Sequence, residues 1–463
     1  MRPVLLALFG LLPCLALAQP ELTATSDVRV RLFGGTNPGE VRIEAEDAPL
    51  QVTLDTGESF TVPHGENVHV EKSGSRLDVN AEDLRLSATR VEVQAEGLAR
   101  IRTGRANRTY RGRFELELSG RTVRVINEVP LEPYVASVVA TEYPFREIEG
   151  VRAQAVLART YVLRHRGEKN GYDVEDDQRS QVYRGAGVVT ETTQRGADET
   201  RGQVLRHNGR LVDALYSSSS GGHTANNEAV WFTSPVPYLR GVPDPHDRVA
   251  PDHRWTTTAP ADAVLRVLAR RHGGPVDGFH ITETSRSGRV VRVRLVGSGK
   301  TINGAQLRSA VNSVAGWRTL KSSKFTATRV GDTYRFEGGG FGHGVGMSQY
   351  GAHGQAVAGR TYTEILAHYF QGTELDVLPG ADAPPALVAS SEGSPRRWPT
   401  PRRRARTLDS VQEQLLQQAE AQSERRIRPR PRRLERAEAA LPAPSQSPDG
   451  PQRPSERDRR ISW

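Results

Sequence analysis

Residues 127–166 read NEVPLEPYVASVVATEYPFREIEGVRAQAVLARTYVLRHR, and this stretch decides how the rest of the chain is arranged. The pattern predicts two helices joined by a short elbow, with one carboxylate, Glu142, at the elbow. Leu131, Val135, Val138 and Val139 recur at helical spacing. Pro133 suits a first helical turn, where its missing N–H would be unpaired anyway. Glu142 falls four residues after Val138 and so continues the apolar stripe. Pro144 disfavours helical geometry at Tyr143, which puts Glu142 near the helix C-terminus. Apolar surroundings and the negative end of the helix dipole both disfavour an ionised carboxylate there. A carboxyl that keeps its proton near neutral pH has what a general acid requires. The competing reading is a frayed helix end with a solvated Glu. The second helix, roughly Glu147 to Arg166, buries Val151, Ala155, Val162 and Leu163. Arg159 on it either holds a carboxylate or a substrate oxygen, or is a solvated helix charge.

Residues 1–18 have the pattern of an export signal: a basic Arg2, an apolar run over 4–17, and Ala16-Leu17-Ala18 as a small-x-small cleavage site. Pro13 makes a poor lipobox before Cys14, which argues against a lipoprotein. Cys14 is the only cysteine, so cleavage leaves no disulfide and no thiolate metal site. Across residues 20–126, VRVRLF, VRIEAE, LQVTLDT, SFTVP, VHVEK, LRLSA and VEVQA alternate with period two between turn residues. They predict a small barrel or sandwich acting as scaffold or docking domain. The hairpin RGRFELELSGRTVRVIN (111–127) leads into the helix pair.

Two later loops carry polar groups. YSSSSGGHTANNEAVW (216–231) offers Ser218, Ser219, Ser220, Gly221, Gly222 and His223, small hydroxyls and flexible glycines that suit hydrogen bonding to a sugar. It lacks the G-x-S-x-G frame of a serine nucleophile. Glu228 is a second candidate carboxylate, or an ordinary helix-start acid. GGGFGHGVGMSQYGAHG (338–354) is neither G-x-G-x-x-G nor a Walker loop. It predicts a tight turn that holds His343 and Gln349 against a cleft. His343 is either structural or able to bond Glu142, a sugar or a metal. His223 and His343 supply two zinc ligands without a convincing third, so no cofactor is expected. The chain carries a net charge of +9, and beyond residue 390 there are 17 Arg against 10 acidic residues. That Pro/Arg-rich tail cannot bury enough apolar surface to fold. Its charge suits anionic envelope polymers or a membrane surface, and export removes nucleic acid as a partner.

VVATEYP followed by VRAQAVLARTYVLRHR, with the two glycine-containing loops and TYTEILAHYFQGT (361–373) in this order, resembles the stage II sporulation protein D/LytB family (SpoIID/LytB). The residues predict an α+β chain in four parts: signal peptide 1–18, β-rich domain 19–110, a central domain 111–376 and a disordered basic tail 377–463; the resemblance covers about residues 110–375 and implies there a SpoIID/LytB-like domain with a helix pair and β-rich lobes. The export signal predicts a protein of the periplasm or cell wall, and the resemblance implies peptidoglycan glycan strands as its substrate. The implied activity is that of a lytic transglycosylase, which cleaves the MurNAc–GlcNAc bond of denuded strands and leaves a 1,6-anhydroMurNAc end. Glu142 would be its acid/base, Arg159 an orienting arginine, and Ser218–Gly222 with His343–Gln349 the cleft loops. The alternative is a non-catalytic wall-binding module that enhances a cell-wall amidase.

Overall fold

Period-two alternation turns almost every apolar residue of the N-terminal third inward. Val28, Val30 and Leu32, then Val41, Ile43 and Ala45, then Leu50, Val52 and Leu54 are buried, with polar residues between them. Our computed structural model describes residues 23–381. The export signal expected over 1–18 lies outside the described residues, as does the basic tail from residue 382 onward. Among the described residues ten strands precede the first helix: β1 (Asp27–Leu32), β2 (Glu40–Ala45), β3 (Leu50–Leu54), β4 (Ser59–Val62), β5 (Asn67–Ser73), β6 (Arg76–Ala81), β7 (Leu84–Ala88), β8 (Arg90–Thr103), β9 (Ala106–Ser119) and β10 (Thr122–Pro130). With β11 (Val174–Glu175) they form one sheet in the order β11-β1-β10-β9-β8-β2-β5-β6-β7, and β3 and β4 branch from β8.

β8 serves two partners. Val91–Ala95 pairs with β3 and Ala99–Arg102 with β2, and a bulge between Ala95 and Ala99 makes the change of direction. β10 then packs across on β2 and β5, and β6 on β9, so the sheet doubles over on itself. Among the described residues no ladder joins β7 to β11, so the sheet does not close into a barrel. β9 passes through residues 110 and 111 without a break.

β10 runs straight into α1 (Leu131–Glu142), which is followed by α2 (Ile148–Arg164) and, after a long irregular segment, α3 (Glu191–Glu199). α1 is more deeply set than a single apolar stripe predicts. Glu132, Ala136 and Ser137 are buried along with Leu131, Tyr134, Val135, Val138 and Val139, because β10, α2 and α3 surround the helix. Tyr143 is extended, as a residue before proline should be, and ends the helix at Glu142. Gly150 lets the elbow close: a Cβ there would lie 1.8 Å from the Tyr143 hydroxyl oxygen.

β12 (Gln203–His207), β13 (Arg210–Leu211) and β14 (Tyr216–Ser217) lead to the serine loop, and α4 (Glu228–Trp231) follows it. A second apolar core then fills residues 255–336. It is built by β15 (Trp255–Pro260), α5 (Ala261–His272), β16 (Val276–Thr284), β17 (Val290–Gly297), β18 (Thr301–Asn303), α6 (Gly304–Ala315), β19 (Phe325–Val330) and β20 (Thr333–Gly338). The chain returns to the first core through β21 (Met347–Ser348), α7 (Gln349–Val357), α8 (Tyr362–Tyr369) and β22 (Glu374–Val377). β14 pairs in parallel with β21, which sets the serine loop beside the glycine-rich loop. The chain is therefore α+β, β-rich at the start and helical in the middle.

Candidate active site

Glu142 ends α1 against three other parts of the chain. Its Oε1 accepts the backbone N–H of Val182 at 2.8 Å. Its backbone carbonyl, one of those a helix end leaves unpaired, accepts the Gln349 side-chain amide at 2.7 Å. The residue is half-buried. Protein packed around it pushes the carboxyl from 4.5 up to about 7; the Val182 N–H and the Arg184 guanidinium oppose that rise without cancelling it. Desolvation, chiefly, thus favours the protonated form of Glu142 well above the usual carboxylate range.

The wall beside it is aromatic and polar. Tyr134 donates to Gln181 Oε1 at 3.0 Å, and Gln181 Nε2 donates to the Tyr216 hydroxyl at 3.0 Å. Burial and then the Glu142 charge raise the Tyr216 pKa well above its usual value, so it stays a neutral phenol. Arg184 bonds the Asp176 carbonyl at 2.7 Å and lies 3.5 Å from the Asp176 carboxylate. This fixes the loop that delivers the Val182 N–H. His343 is half-buried, and burial with Arg289 nearby pulls its pKa down to about 4. Its Nδ1 accepts the Val345 N–H at 3.1 Å, which leaves the proton on Nε2, and the Tyr216 backbone also bonds the ring. No hydrogen bond joins His343 to Glu142 among the described residues.

The serine and glycine-rich loops lock together around two aspartates. Asp247, fully buried, accepts the Ser219 hydroxyl, the N–H groups of Ser220 and Gly221, and His253 Nδ1, each at 2.9 Å, and the Ser348 hydroxyl at 2.8 Å. Asp244 accepts the Ser220 hydroxyl at 2.8 Å and the Tyr369 hydroxyl at 2.9 Å. Burial, and then the charge of Asp247, push the Asp244 carboxyl up to about 7. Ser219 and Phe341 exchange backbone hydrogen bonds of 3.1 and 2.9 Å. Gly221 has φ +69°, and a Cβ on it would meet the backbone of Gly339 and Gly340 at 2.7 Å. Ser348 caps α7 through the Gly351 N–H, and the next residue is the Gln349 that holds Glu142. Tyr350 N–H donates to the Ser218 carbonyl at 3.0 Å.

A profile described as stage II sporulation protein (SpoIID) matches residues 119–207, from the end of β9 through both helices to β12, and so includes Glu142. A domain of unknown function matches residues 249–346, which contain the second core. The chain is 34% identical over 268 residues to the stage II sporulation protein D of Bacillus subtilis, covering 54% of this chain and 75% of that protein. The chain belongs to the SpoIID family. It is 32% identical over 270 residues to the Bacillus amyloliquefaciens protein of the same name, at the same coverage. It is 29% identical over 284 residues to the amidase enhancer of B. subtilis, covering 51% of this chain and 39% of that protein. Members of the SpoIID family act on peptidoglycan.

In this SpoIID chain the other residues singled out by sequence have partners of their own. Arg159 is fully buried: Nε donates to Glu132 Oε1 at 2.9 Å, Nη2 to Glu132 Oε2 at 2.5 Å, and Nη1 to the Gln203 carbonyl at 3.0 Å. Its guanidinium ties α1, α2 and β12 together, away from solvent. Ser219 and Ser220 are buried and give their hydroxyls to Asp247 and Asp244. Glu228 receives Arg240 at 2.8 and 2.7 Å and the Asn226 amide at 2.9 Å; the Arg240 contact, first, holds its carboxyl below the usual range. His223 Nδ1 bonds the Thr224 carbonyl at 2.7 Å, and Gly222 lies against the His253 ring. Among the described residues, Glu40, His69 and Glu71 on β2 and β5 form a His/acid group close enough to hold a cation, and His223 and His343 do not. No helix among the described residues is long and apolar enough to cross a membrane.

Sequence reading set Glu142 at a helix end and Gln349 in the glycine-rich loop; the structure joins them through the Gln349 amide and adds the 181–183 segment through the Val182 N–H. Sequence reading missed Asp244 and Asp247, which sit in PVPYLRGVPDPHD (235–247). The signal was present as two acids beside prolines, without periodicity to say that both are buried.

Proposed function

We propose that this chain is an exported lytic transglycosylase of peptidoglycan, with Glu142 as its single acid/base. The observation that carries the reading is a half-buried carboxyl at the end of α1, held by the Val182 N–H beside an aromatic and amide-lined wall in a SpoIID chain, where burial raises its pKa to about 7. A general acid works best when its pKa is near the working pH. Protonated Glu142 gives its proton to the oxygen linking MurNAc C1 to GlcNAc as that bond breaks. The MurNAc C6 hydroxyl adds to C1, closes the 1,6-anhydro ring and returns its proton to the carboxylate. No water has to be positioned, so a second catalytic carboxylate of the ordinary glycosidase kind is not needed. The Val182 N–H and the Arg184 charge steady the carboxylate between the two proton transfers. Gln349 fixes the end of α1 so that the carboxyl stays in place. Ser218 and His343 border the same region, while Ser219, Ser220, Gly221, Gly222 and Arg159 act by shaping it. In this reading residues 19–110 are scaffold, residues 111–376 hold the reaction site, and the basic tail meets anionic envelope polymers or the membrane surface.

The second reading, a non-catalytic enhancer of a cell-wall amidase, rests on the likeness to the amidase enhancer. Mass spectrometry of digested denuded glycan strands separates the two. Anhydro-muramic ends made by the wild type and absent with Glu142→Gln support the transglycosylase. Intact glycan together with faster cleavage by an added amidase supports the enhancer and overturns the first reading.

A further inference from the structure

The turn after the serine loop displays two large aromatic side chains to solvent. Trp231 is 43% exposed and Phe232 49% exposed, at the start of an exposed run over 231–235 that is anchored by the buried Asn227. Phe232 has φ 57°, a left-handed conformation that a bulky side chain adopts at a cost. The surrounding network leaves the turn no other shape. The Phe232 N–H bonds the Glu228 carbonyl at 3.1 Å, and Arg240 clamps both Glu228 oxygens. Buried Asn227 donates to Thr233 Oγ1 at 2.9 Å and the Ser234 carbonyl at 2.8 Å, and accepts the Val236 N–H at 2.9 Å. A fold that strains its backbone to hold aromatics out of its core keeps them for contact with something else.

The position of the pair says what. The Trp231 ring lies 5.2 Å from the His343 ring. His343 is bonded by the Tyr216 backbone, the Tyr216 hydroxyl is bonded by Gln181, and the next residue supplies the N–H on Glu142. A chain of contacts through His343, Tyr216 and the 181–182 segment thus links Trp231 to the Glu142 carboxyl. A pyranose ring has an apolar C–H face and a rim of hydroxyl and acetamido groups. An exposed indole flanked by a neutral imidazole matches that pattern, since aromatic side chains offer a large apolar surface with a polar edge beside it.

We infer that Trp231, flanked by Phe232, is a sugar-stacking subsite that holds a pyranose ring of the glycan strand at a distance from the Glu142 cleavage point. This rests on the reading of glycan as the substrate. The test uses the full chain carrying Glu142→Gln, so that the ligand is not consumed, and calorimetric binding of denuded oligosaccharides of alternating GlcNAc and MurNAc. Adding Trp231→Ala weakens binding roughly 2- to 10-fold. Adding Phe232→Gly also weakens it, while thermal stability holds or rises, because glycine takes a positive φ without strain. Unchanged affinity in both double variants overturns the subsite and leaves the substrate reading intact. If Glu142→Gln alone binds no oligosaccharide, the substrate reading fails first and the subsite fails with it.

Discussion

Replacing Arg159 with methionine keeps most of the side-chain volume and removes the charge from a place with no solvent. Arg159 is 0% and Glu132 2% exposed in their side chains. The substitution leaves the Glu132 carboxylate buried with one remaining donor, the Gly202 N–H at 3.2 Å. It also strips a donor from the carbonyls of Gln203 and Ala197. Breaking a buried pair by removing one partner costs about 3–5 kcal/mol. With about 2–4 °C lost per kcal/mol in a domain of moderate size, Tm should fall by roughly 10 °C. The double substitution Arg159→Met/Glu132→Leu removes the stranded charge as well. It should recover most of that loss, retaining about 1–3 kcal/mol for the two carbonyls. Thermal or denaturant unfolding of the wild type, both single variants and the double variant closes the cycle, and the coupling should exceed about 1 kcal/mol. If Arg159→Met unfolds with the wild type and instead raises KM for glycan with kcat unchanged, Arg159 is a substrate ligand and the structural role given to it is wrong.

Glu142→Gln should stabilise the fold in alkaline solution. The folded carboxyl is raised from 4.5 to about 7, so the native state binds the proton more tightly than the unfolded chain. Its contribution is fully present below pH about 4.5 and is lost as pH rises through about 7, by at most about 3 kcal/mol. Unfolding curves of wild type and Glu142→Gln at several pH values should diverge across that window; a difference independent of pH removes the basis for a buried acid. Asp247→Asn should cost about 3 kcal/mol or more, because an amide nitrogen would face groups that all donate to the carboxylate. Hydrogen exchange at the Ser220 and Gly221 amides should quicken, and the Asp244 pKa should fall with the neighbouring charge gone. Unaltered exchange there would show that Asp247 does not hold the serine loop.

The strands were legible because one physical rule, a buried face and a wet face, writes itself into alternate residues. Val41, Ile43 and Ala45 need no tertiary information. Glu142 was legible for a similar reason: Pro144 fixes where the helix stops. What the sequence hides is which groups meet across long separations. Arg159 looks like any helix arginine until Glu132, one helix earlier, is seen folded against it. The serine hydroxyls look available for a ligand until Asp244 and Asp247 arrive from a proline-rich loop to take them. Burial of α1 on every side likewise depends on β10, α2 and α3 closing around it, and no stripe of residues encodes that. The second core over 255–336 has no boundary in the sequence pattern, since periodicity names elements and not the core they share.

General-acid chemistry at this site depends on the proton carried by one side chain. A carbon-13 NMR titration of the glutamate carboxyls, assigned by the signal lost in Glu142→Gln, measures it directly. A midpoint for Glu142 near 7 is the result expected from the structure. A midpoint at the ordinary glutamate value of about 4.5 would mean that the carboxyl is ionised throughout the neutral range, and the general-acid role assigned to it would be contradicted.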